Sequence, residues 1–183
     1  QWLRGKTSAT WRALGVLLLS VILCFGSIAL LKRLIPMECP WDLQAFGGTS
    51  PFVGLFTQRP SSMVANQCFP AGHASIGYGW LGLYFFLRLL RPALAVTGLF
   101  GSIFLGILLG LTQQIRGAHF LSHDIATAFI CWLIAGLCFC RFYPPHILFT
   151  AYRCSTNPLA LTNKDKSTGL DQNSTDSKES TND

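Results

Sequence analysis

Acidic residues are what this chain most lacks. Ahead of Asp165 the only carboxylates are Glu38, Asp42 and Asp124, and charged residues make up only 12% of the 183. Soluble domains carry about 25%. Three acids cannot clothe a water-soluble domain of this size, and they leave few oxygen ligands for a calcium- or magnesium-type site. No basic run is interleaved with aromatics, so the net charge of +6 is not the footprint of a nucleic-acid surface. The first apolar stretch ends at Lys32–Arg33 with no small-residue cleavage site, so it reads as a retained span rather than a signal peptide. Cys131, Cys138 and Cys140 lack metal-ligand spacing and read as span residues. No internal repeat is present.

Hydrophobic residues are plentiful, at 50% of the chain, with a mean hydropathy of +0.41. They fall into four stretches, about Ala13–Leu31, Ala74–Leu90, Pro92–Leu111 and Ile125–Phe142. Each is near the roughly 20 residues that a helix needs to cross hydrocarbon. The expected fold is therefore all-α, a polytopic membrane helix bundle with about four spans. Residues 1–153 form the membrane domain, with a long outer loop over 32–72 and a short one over 112–122. Residues 154–183, rich in Ser, Thr, Asn, Asp and Lys, form a tail too polar to bury a core.

Basic residues set the orientation. Arg4, Lys6 and Arg12 precede the first stretch, Arg88 and Arg91 join the second to the third, and Arg141 and Arg153 follow the fourth. All lie on one side if the chain starts inside and crosses four times, and the positive-inside rule makes that side cytoplasmic. Lys32, Arg33, Arg59 and Arg116 then lie outside, against the rule. Cys39 and Cys68 share the outer loop, while the other five cysteines are in spans or on the inner side. In an oxidising space the outer pair is expected to bridge; two unpaired thiols is the alternative.

The outer side also gathers His73, His119 and His123. Fixed cations beside imidazoles suit a phosphate: arginine offers a planar fork and lysine a point charge, while histidine serves as nucleophile or proton donor near neutral pH. Cys68-Phe69-Pro70-Ala71-Gly72-His73 runs directly into the second span, which places His73 at the N-terminus of a helix, where free N–H groups attract anions. His119 and His123 share a face if that stretch is helical. Ser122 is placed to cap the fourth span and Asp124 suits its positive end. Simpler readings stand beside these. His73 serves as a helix cap, Lys32 snorkels from a span end, and Arg59 and Arg116 anchor lipid headgroups. His119 and His123 form a metal site with Asp124 or His73. Trp80, Tyr84 and Phe85 pack or belong to an interface belt. His146 has no evident role.

Pro70-Ala71-Gly72-His73 is similar to the Pro-Ser-Gly-His motif of the type 2 phosphatidic acid phosphatase superfamily. Gly117-Ala118-His119-Phe120-Leu121-Ser122 resembles that family's last motif, an Arg, five residues, His, three residues and Asp. Arg59-Pro60 resembles the end of its first motif, with Lys32 as that motif's lysine ahead of an insertion. The resemblance covers about Ala13–Phe142. It implies a membrane phosphatase, with His119 attacking phosphorus, His73 protonating the leaving group, and Lys32 and Arg59 holding the phosphoryl oxygens. It implies no cofactor and no metal. The expected substrate is a lipid phosphate or diphosphate drawn from the membrane, and the expected location is a bacterial inner membrane with both termini inside. Three departures are visible. Gln113 occupies the family's arginine position, with Arg116 close enough to substitute. His123 occupies the aspartate position. The family commonly has six spans, which implies two more before the first. A phosphotransferase would share the intermediate, and a non-hydrolytic lipid-phosphate binding or transport protein would share the cradle, including the Gly72 backbone.

Overall fold

Prolines and glycines decide where the helices of this chain begin and end. The computed structural model describes residues 2–54, 57, 58, 60 and 66–144. Arg59, His146 and the polar tail lie outside these residues. Helix α1 (Trp2–Leu34) contains no proline and no acid. It stops just short of Pro36, whose ring steers the preceding residue away from helical backbone. Lys32 and Arg33 fill its last turn, where cations suit the carbonyl end.

The chain is helical again from Gly72 to Leu90, in three pieces: α2 (Gly72–Tyr78), a 3-10 turn (Gly79–Gly82) and α3 (Leu83–Leu90). The Ser102 hydroxyl donates to the Trp80 carbonyl of the tight turn at 3.0 Å, so a neighbouring helix supports the break. At Arg91 the backbone leaves the helix (φ −146°, ψ 78°), and Pro92 opens a short turn into α4 (Ala95–Ile115). Proline suits a first helical position because its missing N–H would be unused there. Helix α5 is Leu121–Phe142.

Among the described residues, three helices are long and apolar enough to cross a membrane: Ser8–Leu34, Pro92–Ile115 and Leu121–Phe142. The expected second span, Ala74–Leu90, is less apolar, since Ser75, Tyr78 and Arg88 interrupt it. It is a broken helix inserted among the other three. Described residues contain no strand, only isolated bridges between Met37 and Gln67 and between Leu43 and Ser50. The fold is all-α.

Small residues allow this insertion. A Cβ on Gly77 would collide with the Gly106 backbone, and one on Gly106 with the Tyr78 ring, so α2 and α4 cross backbone to backbone. Close approach through small residues is how helices associate where lipid removes the hydrophobic drive between them. One core cluster joins Cys24, Ile28, Ala71, Ala74, Tyr78, Leu81 and Cys131; a second, centred on Phe139, joins Val16, Leu17, Val21 and Cys138. Large apolar side chains point outward as well, with Ile22, Phe104, Phe129 and Leu137 all more than 60% exposed. In water such a surface would aggregate; in a bilayer it is the lipid-facing side. This is why so few charges suffice.

Candidate active site

α1 ends, α2 begins and α4 turns into α5 at the same end of the bundle. Each of these ends delivers a side chain, and the sequence shows locally why.

α4 closes with Arg116 as its C-cap and Gly117 at φ +71°. The Gly117 N–H donates to the Gln114 carbonyl and the Ala118 N–H to the Gln113 carbonyl, both at 2.9 Å. This pair of bonds with a left-handed glycine is the Schellman arrangement, which only glycine enters without strain. His119 follows directly. α5 begins from Phe120, whose backbone is extended and whose side chain makes no cap bond. The expected cap, Ser122, instead lies inside the first turn. His119 is therefore not on a helix, and the proximity of the two histidines does not come from helical spacing. It comes from the turn, which sets the His119 and His123 rings 5.8 Å apart at 64°.

The entry to α2 is fixed from two sides. The Ala71 N–H donates to Thr127 Oγ1 of α5 at 2.9 Å, and the Thr127 hydroxyl donates in turn to the His123 carbonyl at 2.8 Å. On the other side a disulfide joins Cys39 to Cys68, and Met37 and Gln67 pair through the Met37 N–H to Asn66 and the Cys68 N–H to Met37. Lys32 reaches across from α1, donating from Nζ to the Gln67 carbonyl at 2.9 Å. Its Cε would lie 3.0 Å from a Cβ on Gly72. Glycine at 72 leaves room for the lysine to pass closely over the start of α2, beside the exposed His73.

Lys32, Gly72, His73, His119 and His123 are brought together round the Cys68–Gly72 turn. His119 is buried, and its Nδ1 has no hydrogen bond of acceptable geometry. Burial pushes the His119 imidazole down to about 4, the Lys32 and His123 charges push the same way, the Cys68 backbone opposes them, and His73 adds a smaller contribution. His119 is therefore neutral at physiological pH. His123 is 1% exposed and both its ring nitrogens are buried, with no side-chain partner and only the Cys68 backbone as a polar neighbour. It stands edge-on to Phe69 at 5.2 Å and to Phe120 at 5.4 Å. It is held as an aromatic wall.

Gln113 and Arg116 act as a unit: Arg116 Nη1 donates to Gln113 Oε1 at 3.3 Å. The glutamine at the arginine position thus accepts from the arginine one turn away. Arg116, His119 and Gln114 line one cavity of about 480 Å³, together with Trp41, Phe46, Ile115 and Leu121.

Asp124 is buried and does not face His119. Gln114 donates to its Oδ2, its Oδ1 is unpaired, and a Cβ on Gly110 would collide with the carboxylate. Asp124 ties the last turn of α4 to the first turn of α5 and so supports the hairpin that carries His119. Sequence reasoning missed this pairing and Thr127. A carboxylate at the mouth of a span, in a stretch with so few acids, was the available signal for the first; a lone threonine gave none. The third ligand that a two-histidine metal site would need is not supplied: among the described residues no three His, Cys, Asp or Glu side chains converge.

No curated protein and no solved structure matches this chain. A family profile does, the PAP2 superfamily, over residues 9–146. That match takes in most of α1 and every element that builds the cluster just described, and the chain belongs to the PAP2 superfamily.

Proposed function

We propose that this protein is a membrane phosphatase that hydrolyses a phosphate or diphosphate ester of a lipid through a phosphohistidine on His119. Family membership supports a phosphatase-type function on a lipid or phosphate ester. The observation that carries the finer reading is the meeting of a neutral, buried His119 with Lys32 and His73 round one turn.

A nitrogen nucleophile must keep its lone pair, and His119 keeps it because charging the ring is opposed by burial and by Lys32. The ring nitrogen opposite the buried Nδ1 attacks phosphorus and forms a P–N bond. The P–O bond to the leaving group breaks, and His73 gives that oxygen its proton. A water then attacks the phosphohistidine, passing a proton to His73 as the P–N bond breaks and phosphate leaves. Lys32, Arg59 and Arg116 hold the phosphoryl oxygens with the Gly72 backbone, offsetting charge as it builds. Gln113 orients Arg116. No metal or cofactor takes part in this scheme. The basic flanks support a reading with both termini in the cytoplasm and the site on the outer face; the proposed location is a bacterial inner membrane.

Purified protein in detergent with EDTA, assayed for phosphate release from a panel of phospholipids and polyprenyl diphosphates, tests this. Release that survives EDTA and is lost in His119→Ala supports it; release that returns only with added zinc refutes it. A second reading rests on His123. Where the family has an aspartate, this chain has an imidazole, so His119 receives no carboxylate from that position. A protein that binds lipid phosphate without turnover, or that transports it, is the outcome if binding is found and release is not. Transfer of the phosphate to a second lipid would show as phosphorylated acceptor in place of free phosphate.

A further inference from the structure

The cavity that holds His119 has a mixed lining. Arg116, Gln114 and His119 are its polar side chains; Trp41, Phe46, Ile115 and Leu121 are apolar. A site for a small water-soluble phosphate ester has no use for the apolar set. Ile115 is the last residue of α4 and Leu121 the first of α5, so part of that apolar lining lies where the spans end. Their side chains are 86% and 60% exposed, and at that depth exposure means contact with lipid. Trp41 and Phe46, in the same lining, belong to the outer loop and are 45% and 63% exposed. They are not loose. The Trp41 N–H donates to the Gly117 carbonyl at 3.0 Å, the Phe46 ring meets Phe120 at 6.2 Å, and the disulfide anchors the loop two residues before Trp41. Aromatic side chains at this level belong to the membrane interface.

We propose that this half-apolar cavity is the subsite for the hydrocarbon next to the scissile phosphate, entered sideways from the outer leaflet between Ile115 and Leu121, with Trp41 and Phe46 setting chain specificity. Two further grooves among the described residues are mostly apolar, with Thr97, Ser102 and Tyr78 among their lining, and contain neither histidine nor arginine. The inference rests on the phosphatase reading above and adds the chemistry of the substrate's other end. Each methylene buried in the subsite contributes about fourfold to affinity, so a few are enough to dominate selection.

The test compares kcat/KM for a long-chain phosphatidic acid in mixed micelles, at fixed mole fraction, with kcat/KM for a two-carbon phosphate ester. In Trp41→Ala and Phe46→Ala the ratio of long to short is expected to fall at least tenfold, and Trp41→Phe is expected to restore most of it. A ratio that stays level, whether both rates fall together or neither moves, overturns the proposal. If the wild type releases phosphate from neither substrate, the phosphatase reading fails on its own. The subsite is then decided by calorimetric binding of two-carbon and ten-carbon alkyl phosphonates. Tighter binding of the long one, lost in Trp41→Ala, upholds it; equal binding overturns it.

Discussion

Acidification is the perturbation that addresses His119 most cleanly. Its imidazole is lowered to about 4 by burial first and the Lys32 charge second. At pH 5 about nine-tenths of His119 is then neutral, against about one-thirtieth of an ordinary histidine, roughly a 30-fold difference in available nucleophile. The sign for stability follows. Between about pH 6.5 and pH 4 the unfolded chain holds a proton on this residue that the native protein refuses, so stability falls as pH drops through that window and levels off below it. The loss amounts to about 3 kcal/mol. Nitrogen-15 histidine NMR of the protein in detergent, with His119 assigned by comparison with His119→Gln, reads the midpoint directly. Lys32→Met should raise that midpoint only part of the way, because burial is the larger cause. A His119 midpoint near 6.5 in the wild type would refute the reasoning, and so would a Lys32→Met midpoint restored in full to 6.5.

Other perturbations test the scaffold. Replacing Cys39 and Cys68 together by serine opens a loop of sequence separation 29, and detergent-denaturation curves should show about 3–4 kcal/mol less stability. Gly77→Ala pushes a methyl into the Gly106 backbone and should cost about 1–3 kcal/mol, whereas Gly101→Ala, with nothing near it, should be neutral or slightly stabilising in the same assay. Asp124→Ala removes the acceptor of Gln114 and should cost about 1–3 kcal/mol with a fall in kcat. Asp124→Asn keeps an acceptor and should retain most of both.

Much of this fold can be read in the sequence, because lipid imposes simple demands. α1, α4 and α5 follow from long apolar runs, and the link at Arg91–Pro92 from its proline. The grouping of His73, His119 and Lys32 at one end follows from counting spans. What the sequence hides is geometry carried by turns. His119 and His123 looked like one helical face, yet α5 begins only at Leu121, and the Schellman turn at Gly117 brings the rings together instead. Ser122 looked like a cap because serine usually caps; here the extended Phe120 opens the helix with no side-chain bond. The second span looked continuous, but glycines 77, 79 and 82 admit a 3-10 turn, and only contact with Gly106 and Ser102 shows why it is tolerated. Asp124 looked like a charge suited to the positive end of a helix; its pairing with Gln114 needs a partner ten residues away that no local pattern announces.

The central claim is that phosphate passes through His119. Purified protein mixed with radiolabelled lipid phosphate and quenched in alkali within milliseconds should carry a label that is stable to base and released by acid, as a phosphoramidate is. Peptide mass spectrometry should place it on His119, and His119→Asn should carry none. Phosphate release at full rate with no trapped label, or a label undiminished in His119→Asn, would contradict the account.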